Sequence, residues 1–152
     1  MRRAAHAVDR YARAVTDGTV VAGPLVRAAC RRHLADRRRR AWVFDVDKAD
    51  HAIDFFEQFL RLPDLTDAWG DPRPFTLAAW QQFIVGSLFG WVDKRGLRRF
   101  RDAYIEVGKG NGKSPMAAGI GLYGLLMDHE LAAEIYAAAV TREQASILWR
   151  DA

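Results

Sequence analysis

A single cysteine, Cys30, stands in the whole chain, so no disulfide can close within it, which fits a reducing compartment. Long apolar runs are missing as well. The longest, Ala117 to Met127, falls well short of the roughly 20 residues that a membrane-spanning helix needs. Met1 to Arg3 imitates the charged start of a signal peptide, yet His6, Asp9, Arg10 and Arg13 follow at once, with no apolar run of signal length. A cytoplasmic protein without membrane contact is expected. Neither sign of charge dominates: 23 Lys and Arg face 19 Asp and Glu, and the net +4 permits a polyanionic partner without requiring one. Metal sets are thin too. Cys30 and His33 have zinc-like spacing but no second pair of ligands, so they read as a buried cysteine beside a surface histidine. Asp45-Val-Asp47-Lys-Ala-Asp50 lacks the glycine and distal glutamate of a calcium loop.

What is present is enough apolar residue, half of 152, for one ordinary core. From Ala4 to Asp36 the period is helical, with Val8, Tyr11 and Val15 on one stripe, a turn at Asp17-Gly18, and a second helix carrying Leu25, Val26, Ala29, Cys30 and Leu34. A basic run, Arg37 to Arg40, follows. Ala49 to Leu60 reads as a helix burying Ile53, Phe56 and Leu60, stopped by Pro63. Trp69-Gly-Asp-Pro-Arg-Pro74 is loop chemistry, and Thr76 is placed to cap a helix through Trp80, Phe83, Ile84 and Leu88 that Gly90 closes. Phe100 to Val107 then reads as a strand, Gly112 to Met127 as a helix apolar almost all round, Ala133 to Val140 as a second strand, and Arg142 to Arg150 as a helix with Ala145, Ile147, Leu148 and Trp149 apolar. Strand, helix, strand, helix is the opening of a parallel α/β sheet.

Between the first of those strands and its helix lies Gly108-Lys-Gly-Asn-Gly-Lys-Ser114. Glycines let backbone N–H groups turn inward around phosphate oxygens, and a helix N-terminus adds partial positive charge at the same place. Lys113 is positioned to reach β- and γ-phosphates and the Ser114 hydroxyl to ligate magnesium. The run is a variant of the strict pattern G-x-x-x-x-G-K-[ST], which asks for glycine where Val107 stands. Pro115 falls in the first helical turn, where its missing N–H matters little.

The variant loop, with an early basic residue at Lys109 and then Asn111-Gly-Lys-Ser, resembles that of the large subunit of tailed-phage DNA-packaging terminases. Phe75-Thr-Leu-Ala-Ala-Trp-Gln-Gln-Phe-Ile-Val-Gly-Ser-Leu-Phe-Gly-Trp91, Gly96-Leu-Arg-Arg-Phe-Arg-Asp-Ala-Tyr-Ile-Glu-Val107 and Ala133-Glu-Ile-Tyr-Ala-Ala-Ala-Val-Thr-Arg-Glu-Gln-Ala145 resemble the family's flanking segments. So does the helical opening from Val8 to Phe59. The resemblance implies the N-terminal part of a packaging ATPase: a helical, lid-like region at 1–95 with an adenine-side Trp80-Gln81 segment, then 96–152 as the start of an incomplete P-loop NTPase parallel sheet. It implies ATP and Mg as cofactors, with Gln81 contacting adenine and Gly108, Gly110, Asn111, Gly112, Lys113 and Ser114 cradling the phosphates. Catalytic roles are implied for Lys113 and for Lys109 as a γ-phosphate sensor, and Ser114 would bind Mg. The family often has proline and arginine where Gly108 and Lys109 stand, and lysine lacks arginine's bidentate fork. Implied partners are double-stranded DNA, portal protein, small terminase subunit and further copies of the chain.

No apolar run ending in Asp-Glu follows Ser114, so the carboxylate that would hold magnesium and activate water is missing. Ala41-Trp-Val-Phe-Asp45 imitates one but precedes the loop, and a structural role is expected for it. Arg31, Arg32 and Arg37 to Arg40 offer a basic face, and Arg142 falls in a helix's first turn. The alternative readings are another DNA-dependent P-loop ATPase of helicase or repair type, and a non-enzymatic basic DNA-binding or adaptor module.

Overall fold

The computed structural model describes residues 5–39, 41–128 and 132–150; Met1 to Ala4 and Arg40 lie outside the described residues, as do the side chains of Ile147, Leu148 and Trp149. In chain order the elements are α1 (Ala7–Thr16), α2 (Pro24–Asp36), β1 (Val43–Phe44), α3 (Val46–Phe59), β2 (Arg61–Thr66), β3 (Pro72–Pro74), α4 (Ala79–Gly90), β4 (Trp91–Val92), α5 (Lys113–Leu126) and α6 (Arg142–Arg150). They form two compact units, one of 1–54 with 77–103 and the other of 55–76 with 104–152.

In the first unit α1 buries its Val8, Ala12 and Val15 stripe against Cys30, Phe44, Ala49, Phe83 and Trp91. β1 pairs antiparallel with β4, Val43 opposite Val92 and Phe44 opposite Trp91. Asp45 ends β1 by accepting from Lys48 N at 3.1 Å, so the strand-like Ala41–Asp45 run supplies a helix cap, a structural role. The α4 helix starts later than a Thr76 cap would place it. Residues 75–78 stay outside the helix, with Phe75 and Leu77 buried on either side of exposed Thr76, and Ala78, whose backbone is extended, becomes the cap position.

Buried polar groups tie this unit together. His33 is not at the surface as its sequence reading had it but only 3 % exposed. It shares the inner face of α2 with Cys30, three residues earlier, so its ring enters the core. Asp9 Oδ1 sits 2.7 Å from His33 Nε2, and Trp91 Nε1–H donates to Nδ1 at 3.0 Å. An indole N–H only donates, so Nδ1 must accept and Nε2 must carry the hydrogen toward Asp9. Arg37 donates to the other Asp9 oxygen at 3.1 Å. Asp36, 2 % exposed, pairs with Arg99 at 2.8 Å and Arg39 at 3.4 Å. The Arg99 guanidinium lies 5.0 to 5.4 Å from the rings of Trp42, Trp91 and Phe100. Cys30 is fully buried, which pushes its thiol up to about 11 and leaves it protonated and unreactive at neutral pH.

The second unit contains the β2–β3 hairpin, in which Arg61 faces Pro74 and Leu62 faces Arg73. Its turn is held by Asp67, whose Oδ1 accepts from Trp69 N and Asp71 N, and it leaves Trp69 87 % exposed. An Asp-x-x-Gly turn of the same kind, Asp93 to Leu97, closes a hairpin in the first unit. Helix α5 buries Met116, Ala118, Gly119 and Tyr123, while Leu125 and Leu126 remain 40 % and 61 % exposed, so the apolar-all-round helix is covered only in part. Gly119 meets Phe56 so closely that a Cβ there would lie 2.3 Å from Phe56 Cε1.

Segments 102–107 and 133–139 carry no regular secondary structure, and exposure alternates along 104–108 and 132–138, with Ile105, Val107, Ile135 and Ala137 half-buried between exposed neighbours. That is strand patterning. Neither segment is laddered to a partner among the described residues, and the two sheets present are small, two-stranded and antiparallel. The chain is therefore mixed helix and sheet, mostly helical. The reason the expected strands are not paired is physical: alternation buries one face, but a strand is completed only by a neighbouring backbone.

Two outcomes are expected. Gly119→Ala should destabilise the protein by ~1–3 kcal/mol through overpacking against Phe56, whereas Gly124→Ala, with nothing within 4 Å of the added methyl, should be neutral or slightly stabilising. Paired denaturant melts would reveal an error if the two variants moved alike. The second concerns Asp9. Burial pulls its carboxyl upward, but the His33 hydrogen bond and the Arg37 charge outweigh this and hold it below the usual value. Its contribution is thus present above roughly pH 4 and lost as pH falls through the lowered folded value. The urea midpoint of the wild type should fall more steeply below pH 4 than that of Asp9→Asn, and equal slopes would refute the assignment.

Candidate functional site

The glycine-rich segment expected to bind phosphate forms one loop in the second unit. Residues 102–107 lead in without regular secondary structure, 109–110 turn, 111–112 bend, and α5 starts at Lys113. Gly110 has φ +81° and Gly112 φ +67°, ψ +26°, left-handed values that side-chain-bearing residues reach only with strain. These two glycines reverse the chain so that it enters α5 directly from the loop.

Gly112 is the N-cap of α5, without a side-chain cap and with no acidic residue in the first turn. The first intrahelical bond observed there is Met116 N to Gly112 O, 3.1 Å, and Pro115 has no N–H. By helix geometry the amides of Lys113 and Ser114 have no acceptor in the helix, and they point toward the loop with the positive end of the helix dipole. A phosphate or other anion is the group such a terminus receives.

The loop's side chains turn back on its own carbonyls. Asn111 Nδ2 donates to Gly108 O at 3.2 Å and to Lys109 O at 3.4 Å, and Lys113 Nζ donates to Val107 O at 3.4 Å. Lys109 and Lys113 are exposed and Ser114 is half-buried. Gly108, Lys109, Gly110, Asn111, Gly112, Lys113 and Ser114 are thus assembled in one place.

Gln81 lies in the first unit, at the third position of α4. It is 5 % exposed, and its Oε1 accepts from Ala78 N at 2.8 Å. Gln82 Nε2 donates to Leu77 O at 2.9 Å. The pair therefore secures the start of α4, a task that the sequence did not advertise because Thr76 looked like the natural cap. Trp80 is half-buried, and Arg142 is exposed in the first turn of α6.

Among the described residues no three His, Cys, Asp or Glu side chains converge as a metal site. Cys30 and His33 do not act as ligands, since both His33 nitrogens are engaged by Asp9 and Trp91. The Asp9–His33–Trp91 set was missed from sequence; the signal was the Cys30, His33, Arg37 spacing of three and four, which puts all three on one face of α2.

Comparison with known families gives one match: the model described as "Terminase large subunit, ATPase domain" covers residues 79–152, from the first turn of α4 through the loop and α5. No curated protein and no solved structure matches the chain. Residues 79–152, a little under half of the chain, are thus similar to the ATPase domain of terminase large subunits.

Proposed function

We propose that the chain is the ATP-binding part of a terminase large subunit, the motor ATPase that drives double-stranded DNA into a procapsid, and that ATP binds by its phosphates at Gly108–Ser114. One observation carries the reading: the two left-handed glycines lead into an uncapped, acid-free helix start whose first residue is Lys113, inside the segment that matches the family. The donor set fits the group. Backbone N–H groups, a lysine and a serine hydroxyl are what a magnesium-bound triphosphate takes, the hydroxyl at Ser114 serving the metal. Magnesium, when bound, neutralises the charge of the β- and γ-oxygens.

Lys113 is the residue proposed to hold the phosphates by charge, and Lys109 the one proposed to sense the γ-phosphate. Gln81 is proposed to read adenine as well as cap α4. In the same reading 1–95 forms the lid-like helical region and 96–152 opens the parallel sheet, with 102–107 and 133–139, already alternating, as its strands. Portal protein, small terminase subunit and further copies of the chain are the proposed partners, in the host cytoplasm. Among the described residues no helix is long and apolar enough to cross a membrane. Of the basic residues Arg31, Arg32 and Arg37 to Arg39, all exposed, Arg37 and Arg39 are already paired with Asp9 and Asp36, which leaves Arg31, Arg32 and Arg38 as the ones proposed to meet DNA phosphates.

Three outcomes are expected. Lys113→Ala should remove most affinity for Mg-ATP while leaving helical content intact, since Lys113 is exposed; a fluorescent ATP analogue titrates it, and unchanged affinity would sink the loop as the site. For Gln81, the change to Glu keeps an oxygen for Ala78 N but removes the amide donor, so it separates capping from base reading. Gln81→Glu should narrow the preference for ATP over GTP without loss of thermal stability, and unaltered selectivity would reject the adenine role. Finally, because no carboxylate at the end of an apolar strand follows Ser114, residues 1–152 alone should bind ATP yet release phosphate no faster than Lys113→Ala. A robust rate abolished by that substitution would identify a missed carboxylate, with Asp45 the first to examine.

A further inference from the structure

We infer that Asn111 is the positioning residue of the loop: its side-chain amide holds the carbonyls of Gly108 and Lys109 and so sets the loop's N–H groups for a triphosphate. This rests on the reading of Gly108–Ser114 as the nucleotide site. A peptide that offers its N–H inward must send its carbonyl elsewhere, and an unanswered carbonyl would let the peptide flip. Here Asn111 Nδ2 takes the two carbonyls in succession, Gly108 O at 3.2 Å and Lys109 O at 3.4 Å. Both partners only accept, so the amide must present nitrogen to them. The amide packs close to Gly108: a Cβ at that position would stand 3.4 Å from the same nitrogen, in ordinary van der Waals contact.

The preceding carbonyl, Val107 O, is answered by Lys113 Nζ at 3.4 Å. That contact is in competition with phosphate, because the ammonium proposed to hold the nucleotide is the same one. Asn111 has no such conflict, and its bonds persist as Lys113 turns to the ligand. The clamp therefore lowers the ordering that binding requires, which is how preorganisation raises affinity. It acts on the backbone beneath the phosphates and is blind to the base.

The experiment uses the whole chain and three probes: Mg-ATP, Mg-GTP and magnesium tripolyphosphate, each titrated by calorimetry against wild type, Asn111→Ala, Asn111→Asp and Lys113→Ala. Asn111 is an exposed loop residue, so each variant is expected to fold, with far-UV circular dichroism as the check. Asn111→Ala should bind all three probes about 3- to 10-fold more weakly, the loss of one ordinary hydrogen bond. Asn111→Asp should be weaker still, since a carboxylate cannot donate to carbonyls and repels phosphate. Amide exchange across 108–112 without ligand should quicken in Asn111→Ala while the melting temperature stays put. Full affinity in Asn111→Ala alongside lost affinity in Lys113→Ala would overturn the clamp and leave the site standing. A loss for ATP that spares tripolyphosphate would also overturn it, by placing Asn111 against the nucleoside. Unchanged binding in Lys113→Ala would instead remove the site itself.

Discussion

A buried imidazole must have both nitrogens answered, and in the first unit the answer comes from three separate elements. Asp9 on α1 takes Nε2–H, Trp91 on β4 gives its indole N–H to Nδ1, and α2 carries the ring between them. Removing any member would strand the others away from water, at about 1–3 kcal/mol for an unsatisfied buried group. The polar contacts therefore dictate which helix faces which strand, a specificity that the surrounding Val8, Ala12, Val15 and Phe83 side chains, being interchangeable in kind, do not supply. The paired Asp36 and Arg99 extend the constraint to the hairpin that follows β4.

The second unit is organised around a different problem, how to start a helix with nothing on its N-terminus. Most helices put Ser, Thr, Asp or Asn there. At α5 the position is Gly112, and the loop before it is shaped by side chains that bind its own carbonyls rather than by a cap that binds the helix amides. Stability of the helix start is forgone, and a surface of donors is left in its place. The tight seat of Gly119 on Phe56 compensates by fixing α5 from its middle.

Much of this is legible in the sequence. Helical period located α1, α2, α3, α4, α5 and α6, because amphipathic stripes and Gly or Pro stops are local properties. The Gly108–Ser114 loop was legible for the same reason, its glycines permitting the left-handed backbone that Gly110 and Gly112 adopt. What was not legible depends on neighbours. Thr76 lost its capping role to Ala78, with Phe75 and Leu77 buried outside the helix, and His33 moved from surface to core because Asp9 and Trp91, distant in sequence, were there to satisfy it. The strands expected at Phe100 to Val107 and Ala133 to Val140 are not formed among the described residues, because pairing is a property of two backbones and cannot be read from one.

The β2–β3 hairpin carries Pro63 in one strand and Pro72 and Pro74 in the other. Proline has no N–H to offer a neighbour, so both edges of this ribbon resist lateral growth into a larger sheet. The runs Tyr104 to Val107 and Ala133 to Ala139 hold no proline. Within this unit, then, the hairpin's edges are closed to strand addition, and sheet enlargement or unwanted association through backbone pairing would begin at the proline-free runs.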